Sequence, residues 1–185
     1  SATGFYRTPK LDYDSDRRWG DPFFYYAFGA ALSEVHVDGR TGEYHVEQVD
    51  ILHDVGHSLN EAVDRGQIEG GFIQGMGWLT TEELLWNDAG RLMSASPSTY
   101  KIPTAHDLPK IFNVSLFERA NEAPTIYRSK AVGEPPLMLA ISVWCALKDA
   151  CASVCQYKVS PDLAVPATPE QVCWAMERAR EFVDE

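Results

Sequence analysis

The 185-residue chain has few basic residues and lacks the long apolar runs that several functional classes require. Lys and Arg total 16 against 27 Asp and Glu, so the formal net charge is −11. So acidic a chain repels phosphate groups, which argues against nucleic-acid binding and against anionic membrane surfaces. No run of residues is predicted to span a membrane, and the N-terminus lacks a signal-peptide pattern. These absences predict a soluble, cytoplasmic protein.

Cysteine is scarce and its spacing is uninformative. The four cysteines are Cys145, Cys151, Cys155 and Cys173, and none forms a CxxC pair. Iron–sulfur ligation needs a tighter ligand set than this. We interpret them as buried or half-buried free thiols in a reducing compartment, without a disulfide framework.

Metal and nucleotide signatures are absent as well. His53 and His57 lie four residues apart, but Gly56 between them disfavours a helix, and no HExxH motif occurs. The glycines form neither GxGxxG after a strand nor the GxxxxGK pattern of a phosphate-binding loop. We therefore predict no metal ligands on this chain and no nucleotide fingerprint.

The composition that remains, 45% hydrophobic and 23% charged, is typical of a globular domain. The first residues, SATGFYRTPK, read like the interior of a protein, so we expect a piece of a longer chain. Residues 1–22 show no sustained period and are predicted to be irregular, a loop with a short extended piece. Alternation over residues 31–37, the turn DGRTG, and a second strand with Tyr44, Val46 and Gln48 on one face predict a β-hairpin.

A glycine-rich helical stretch follows the hairpin. Asn60 is predicted to cap a short helix that Gly66 ends, and a second helix is predicted to begin at Gln67. Apolar residues then recur at helical spacing: Ile68, Phe72, Met76 and Leu79. Glycines crowd the same stretch and weaken a helix by about 1 kcal/mol each. They indicate that another helix or a ligand approaches the backbone closely.

The second half of the chain mixes strands and helices. GRLMS and IFNVSLFER are predicted strands, and Leu137 to Val154 is predicted to be a long buried helix. Residues 157–167 form a linker, and a terminal helix spans 168–184, with Thr168 as cap and Pro169 at its first position. The fold class is α+β, with mixed hairpins and helices and no βαβαβ regularity.

The motif SKAVGEPPLMLA places a carboxylate on a stiff corner. Gly133 permits a tight turn, and Pro135 keeps Glu134 out of the helical region just before a helix that begins near Pro136. Glu134 either supplies charge at a helix N-terminus or is a general base held in a fixed direction.

Three other polar positions have alternative interpretations. Gln67, at the start of its predicted helix, either faces solvent or binds a heterocyclic or phosphate-bearing cofactor. Arg128 and Lys130 are either surface charges or charges that bias the field at Glu134. Asp54 is predicted to accept backbone hydrogen bonds at the turn that leads to Asn60.

Six motifs occur in an order that resembles a known family. TGFYRTP, YAFGAALSEVHVD, DVGHSLN, GQIEGGFIQGMGWLTTEEL, PSTYKIP and SKAVGEPPLMLA resemble the C-terminal part of the molybdenum-binding subunit of the xanthine dehydrogenase and aldehyde oxidase family. The resemblance runs from about residue 2 to about residue 155, and the tail ATPEQVCWAMERAR is more weakly similar. PSTYKIP and SKAVGEPPL favour the xanthine dehydrogenase branch.

The resemblance implies roles for individual residues. Glu134 would be the catalytic base beside molybdenum, and Gln67 would hydrogen-bond the molybdopterin. The backbone of Lys130, Ala131, Val132 and Gly133 would line the same cavity. The implied reaction oxidises a purine, xanthine or hypoxanthine to urate, with water as the oxygen source. The alternatives are an aldehyde or N-heterocycle oxidase of the same family, and a non-catalytic assembly module.

The resemblance also implies what lies elsewhere. Residues 1–185 would be the incomplete C-terminal segment of a molybdopterin-binding domain, inactive alone. The family's upstream cofactor loops and substrate-binding Arg and Glu are not in this sequence. Partners would be the remainder of the molybdenum subunit and an iron–sulfur and flavin subunit. That assembly would carry FAD and [2Fe–2S] clusters, with NAD as the acceptor. Apolar surfaces on the hairpin and the long helix would be interfaces.

Overall fold

The computed structural model describes residues 1–9 and 11–182, which fold as mixed strands and helices. The strands of this part of the chain are β1 (Asp12–Asp14), β2 (Trp19–Asp21), β3 (Gly29–Val37), β4 (Tyr44–His53) and β5 (Ile111–Leu116). Its α-helices are α1 (Glu61–Thr80), α2 (Pro136–Leu139), α3 (Ile141–Ser153) and α4 (Pro169–Arg180). The α+β class is confirmed.

A three-stranded sheet in the order β3-β4-β5 forms the centre of the fold. β3 and β4 pair antiparallel, which confirms the predicted hairpin. β5 pairs with β4 in parallel, so α1 serves as the crossover helix of a single βαβ unit. The first 22 residues are less irregular than predicted, because β1 and β2 form a short antiparallel pair of their own.

The hairpin contains a bulge that changes the predicted face of β4. Val35 pairs with Val46 and Glu34 pairs with Gln48, so Glu47 is the extra residue. One extra residue shifts the alternation by one position. Beyond Val46 the buried residues of β4 are therefore the odd-numbered ones, beginning with Val49. Gln48 does not lie on the same face as Tyr44 and Val46, contrary to the prediction. Gln48 instead donates a hydrogen bond to the Asp50 carboxylate at 2.6 Å.

α1 is one continuous helix, so the predicted stop at Gly66 and restart at Gln67 are wrong. Its predicted cap is confirmed: the Asn60 side chain accepts a hydrogen bond from the Val63 backbone N–H at 3.2 Å. The cost of an interior glycine is about 1 kcal/mol. Burial of Ile68, Phe72 and Met76 offsets that cost, because each apolar side chain contributes about 1.5–3 kcal/mol.

Two further elements differ from prediction. The predicted strand GRLMS, residues 90–94, is absent, and Leu92 forms only an isolated bridge with Trp86. The long helix is divided at Ala140 into α2 and α3. By length and composition, Pro136–Ser153 qualifies as a membrane span, with a mean hydropathy of 1.3, contrary to the sequence prediction. Core helices of folded domains pass the same test, and α3 packs here against β3 and α4.

The predicted start of α4 is confirmed. Thr168 accepts a hydrogen bond from the Gln171 N–H, and Pro169 opens the helix. The helix ends at Arg180 rather than at residue 184, and residues 183–185 lie outside the described part. The linker at 157–167 contains neither strand nor α-helix, as predicted. The hydroxyl of Tyr44 on β4 donates to the Ala167 carbonyl at 2.8 Å, and burial raises the pKa of Tyr44 to about 12.

One face of the sheet carries the core. Residues of β4, α1, α3 and α4 meet there and are almost fully buried: Val49, Ile51, Ile68, Phe72, Val143, Leu147, Val172 and Met176. The helices cover this face, while Leu32 and Leu52 stay exposed.

Candidate functional site

Glu134 lies on the stiff corner that its neighbours predict. Gly133 has a φ of +61°, in the left-handed region that glycine favours, and α2 begins at Pro136. The backbone carbonyl of Glu134 accepts a hydrogen bond from Leu137 N–H at 3.0 Å. Its side chain is exposed, and no residue in the described ranges pairs with the carboxylate. The corner therefore holds the backbone while leaving the carboxylate free to act on a ligand.

The glycines of α1 make room for α2, which answers whether a helix or a ligand approaches them. A Cβ on Gly71 would lie 3.2 Å from the Pro136 side chain. A Cβ on Gly75 would lie 2.3 Å from the Leu137 carbonyl oxygen. The contact on α2 moves from Pro136 to Leu137 as the contact on α1 moves from Gly71 to Gly75. The turn of α1 that precedes Gly71 therefore lies towards the start of α2, where Glu134 is.

That preceding turn carries Gln67 on the same face, because residues four apart are neighbours on a helix. Gln67 lies in the second turn of α1 and not at its start, so the predicted anion site at a helix N-terminus is wrong for this residue. Its side chain is exposed, which leaves the amide available as donor and acceptor. The structure thus brings Gln67 and Glu134 to the same end of the α1–α2 contact.

The backbone between Lys130 and Glu134 presents free donors. Ala131 and Gly133 both have left-handed φ angles, +55° and +61°. No described residue accepts a hydrogen bond from the backbone N–H groups of Val132, Gly133 or Glu134. Successive N–H groups around left-handed residues form concavities that bind anionic oxygens. Together with the Gln67 amide, these donors fit an oxygen-rich, phosphate-bearing cofactor such as molybdopterin.

Lys130 is neither a surface charge nor a free one. Its backbone N–H donates to the Val55 carbonyl at 2.8 Å, and its own carbonyl accepts from the Tyr25 hydroxyl at 2.9 Å. Its ammonium donates to the Tyr26 carbonyl at 2.9 Å and forms an ion pair with Asp54. The polar groups of Lys130 thus bond within the protein. If Lys130 lines the cofactor cavity as predicted, it would contact the cofactor through apolar atoms. Arg128 is exposed, and its guanidinium donates to the Glu122 carbonyl at 2.8 Å.

Asp54 acts at the turn as predicted, because its Oδ1 accepts from the Gly56 N–H at 2.9 Å. Sequence reasoning missed its ion pair with Lys130, which lies 76 positions away, and the contact of Tyr25 with Lys130, 105 positions apart. No spacing pattern reports contacts at such separations. Beside this pair lies a cavity of about 590 Å³ with an aromatic lining that includes Phe28 and Phe117.

The two histidines do not converge. His53 is buried, and neither ring nitrogen has a hydrogen-bond partner among the described residues. Burial lowers the pKa of His53, against a smaller opposing effect of Asp54. His57 is exposed and joins the loop through its backbone N–H, which donates to the Arg128 carbonyl at 3.0 Å. Over residues 1–9 and 11–182, no group of three or more His, Cys, Asp or Glu is placed to hold a metal ion.

All four cysteines are free, as predicted. Cys151 and Cys155 are buried and Cys173 is half-buried, whereas Cys145 is exposed, contrary to the prediction. Burial raises the pKa of Cys151 to about 11, so its thiol stays protonated and unreactive at neutral pH.

The fold is that of a cofactor-binding class of protein. The chain belongs to the molybdopterin cofactor-binding domain family, whose model matches residues 1–109. That range includes Gln67, and the Glu134 corner lies beyond it.

Particular relatives extend the match past the corner. The chain is 48% identical over 178 residues to xanthine dehydrogenase/oxidase of Felis catus, covering 93% of this chain and 13% of the relative. It is 49% identical over 175 residues to aldehyde oxidase 2 of Macaca fascicularis, with the same coverages. The resemblance to molybdenum hydroxylases is confirmed, and the chain spans about 13% of the length of these relatives.

Solved structures support the same fold. Aldehyde oxidoreductase from Desulfovibrio gigas matches with a TM-score of 0.66 at 28% identity, covering 85% of this chain and 16% of that one. CO dehydrogenase from Oligotropha carboxidovorans matches with a TM-score of 0.71 over 83% of this chain and 18% of that one. Its identity of 22% shows a shared fold alone.

Proposed function

We propose that this chain is the part of a xanthine dehydrogenase-type molybdenum hydroxylase that carries the catalytic base, Glu134. The enzyme would oxidise a purine, xanthine or hypoxanthine to urate, with water as the source of oxygen. The observation that carries the proposal is an exposed carboxylate on a stiff corner, next to three backbone N–H groups, none of which has a hydrogen-bond partner within residues 1–9 and 11–182. A residue that only starts a helix needs no such setting.

Residues of this chain would hold the cofactor and move one proton. The Gln67 amide and the N–H groups of Val132, Gly133 and Glu134 would bind molybdopterin. When bound, the molybdenum centre supplies a two-electron acceptor for the substrate. The Glu134 carboxylate would take the proton from the water-derived hydroxyl as its oxygen attacks an electron-poor ring carbon.

The local structure suits Glu134 to that role. A general base must be ionised when substrate arrives, and a carboxylate that accepts no hydrogen bond from the described residues has its oxygen lone pairs available. Gly133 allows the tight turn before Glu134, and Pro135 restricts the backbone after it. Less conformational freedom is then lost in reaching the reactive geometry.

The test is Glu134→Gln in the complete enzyme, which removes the base and keeps the shape of the side chain. Anaerobic reduction by xanthine is followed after molybdenum content has been measured. We expect a loss of at least about a hundredfold with metal retained. Glu170→Gln is the matched control, because Glu170 is another exposed glutamate beside a proline at a helix start. Near-normal reduction by Glu134→Gln would mean that the base lies elsewhere.

Two alternatives have their own observations. Identity to an aldehyde oxidase is as high as to a xanthine dehydrogenase, so an aldehyde or N-heterocycle substrate is the second candidate. Parallel assays with xanthine and an aromatic aldehyde distinguish the two. A non-catalytic assembly module would carry no molybdenum, whereas the proposed enzyme carries it near stoichiometrically.

The assembly is part of the same proposal. FAD, [2Fe–2S] clusters and an NAD acceptor would belong to the remainder of a cytoplasmic, multi-subunit enzyme. Exposed apolar side chains support apolar interfaces with that remainder: Leu32 and Leu52 on the hairpin, and Met138 and Ile141 on α2 and α3, are 45–65% exposed.

A further inference from the structure

The segment that leads to Glu134 is conformationally costly. Tyr127, Arg128 and Ala131 have φ angles of 50°, 59° and 55°, in a region that residues other than glycine rarely adopt. Such conformations persist only where surrounding contacts hold them. The contacts that hold this segment therefore bear on where Glu134 lies.

Those contacts converge on Lys130, four residues before Glu134. Both of its backbone polar groups are bonded, its ammonium pairs with Asp54 and a backbone carbonyl, and the ammonium lies 5.2 Å from the centre of the Phe28 ring. The Lys130 and Asp54 side chains are only 10% and 9% exposed. An ion pair so shielded from water is screened far less than a surface pair.

Asp54 is itself fixed by the sheet. It directly follows β4, its backbone N–H donates to the Phe28 carbonyl at 2.8 Å, and its Oδ1 accepts from Gly56 N–H. Gly56 has no room for a side chain, since a Cβ would lie 2.6 Å from the Arg128 carbonyl oxygen. The end of β4 thus holds one end of the segment, and the contact of Pro136 with Gly71 holds the other.

We propose that Asp54 is a positioning residue that acts through Lys130 to hold Glu134 and the three free N–H groups in their active arrangement. The inference rests on the proposed function and adds a residue to it. No described residue pairs with the Glu134 side chain, so its position depends on the backbone at both ends of the segment. Lys130 then serves as the anchor of the segment rather than as a polar ligand of the cofactor.

The test is Asp54→Asn in the complete enzyme, measured first by amide hydrogen exchange. The amide keeps an acceptor for Gly56 N–H but loses the ion pair. We expect exchange in peptides covering residues 126–136 to be at least about tenfold faster, with α4 unchanged. We also expect kcat for xanthine to fall about tenfold to a hundredfold with KM and molybdenum content retained, as for a misplaced catalytic group.

Glu47→Gln is the matched control. It makes the same acid-to-amide change on β4 and breaks the ion pair to Lys110, whose side chain is 68% exposed. Exposed pairs contribute little, so exchange and turnover should stay normal. An Asp54→Asn enzyme that behaves like Glu47→Gln would overturn the proposal. So would faster exchange with a normal kcat.

Two further variants separate other outcomes. If Asp54→Asn alone does not fold, Asp54→Asn with Lys130→Met leaves no unpaired buried charge. The double variant still lacks the ion pair, so amide hydrogen exchange in residues 126–136 should remain fast. Normal exchange there would overturn the proposal. Glu134→Gln, measured in parallel, tests the proposed function separately. Full activity of that variant would reject Glu134 as the base, while amide exchange in Asp54→Asn would still test the positioning role of Asp54.

Discussion

Two helices of this protein begin at a proline that a polar residue precedes by one or two positions, and the polar side chain has a different environment in each. At α4, the Thr168 side chain turns back and accepts a hydrogen bond from the Gln171 N–H of its own helix. At α2, no side chain caps the helix, and the exposed Glu134 carboxylate has no partner among the described residues. The first arrangement completes a helix, whereas the second exposes a reactive group.

The corners also lie far apart. The β4 strand begins at Tyr44, whose hydroxyl contacts the residue before Thr168, and ends next to Asp54, which holds the segment of Glu134. The ten residues of β4 rise by about 3.3 Å each, so the strand is about 30 Å long and the two corners connect to its opposite ends. Changes at α4 therefore report on stability, and changes at α2 report on function as well.

The largest expected difference between the corners concerns conservative substitutions. Glu134→Asp shortens the side chain by one methylene, and a displacement of about 1 Å costs about a hundredfold in rate. Thr168→Ser keeps a hydroxyl that caps equally well, so stability and rate should be unchanged. Steady-state kinetics and thermal midpoints measure both. Equal tolerance at the two corners would erase the distinction.

The next effect concerns the contact that supports α2. Gly75→Ala would bring a Cβ within 2.3 Å of the Leu137 carbonyl oxygen, so we expect destabilisation of about 1–3 kcal/mol and a lower rate. Gly70→Ala has nothing within 4 Å of the new Cβ and should stabilise α1 by about 0.5–1 kcal/mol. Urea denaturation midpoints compare them. A stabilising Gly75→Ala would contradict the packing described for α1 and α2.

The smallest effect is the loss of the α4 cap. Thr168→Ala removes the acceptor for Gln171 N–H and should cost about 1 kcal/mol of stability. Turnover at a temperature well below the midpoint should stay normal, because the cap lies at the far end of β4. A rate loss as large as that of Glu134→Asp would show that the two corners are coupled.

Local chemistry predicted much of this molecule. The Asn60 and Thr168 caps and the Gly133 turn depend on neighbours in sequence, and each has the predicted form. Errors arose where tertiary packing overrides local preference. Gly66 stays inside a helix because the residues that follow it are buried, and Gln48 changes face because Glu47 is inserted in β4.

The candidate site likewise combines features that the sequence predicted with features that it did not. The sequence alone singled out Glu134 and Gln67, since a stiff corner and a family resemblance are both visible in short motifs. It did not reveal that Gln67 belongs to the second turn of its helix. The backbone N–H groups at 132–134 find no acceptor in the described part of the chain, and residue types alone do not specify the left-handed φ angles of Ala131 and Gly133.

By itself, the sequence determined the Asn60 cap and the start of α2, which residue is the candidate base, and which family the chain belongs to. Only the tertiary structure decided the parallel pairing of β4 with β5, the packing of the α1 glycines on α2, and the burial of Lys130 against Asp54. The physical reason is range: caps and turns join neighbouring residues, whereas these contacts join segments that only the folded chain brings together.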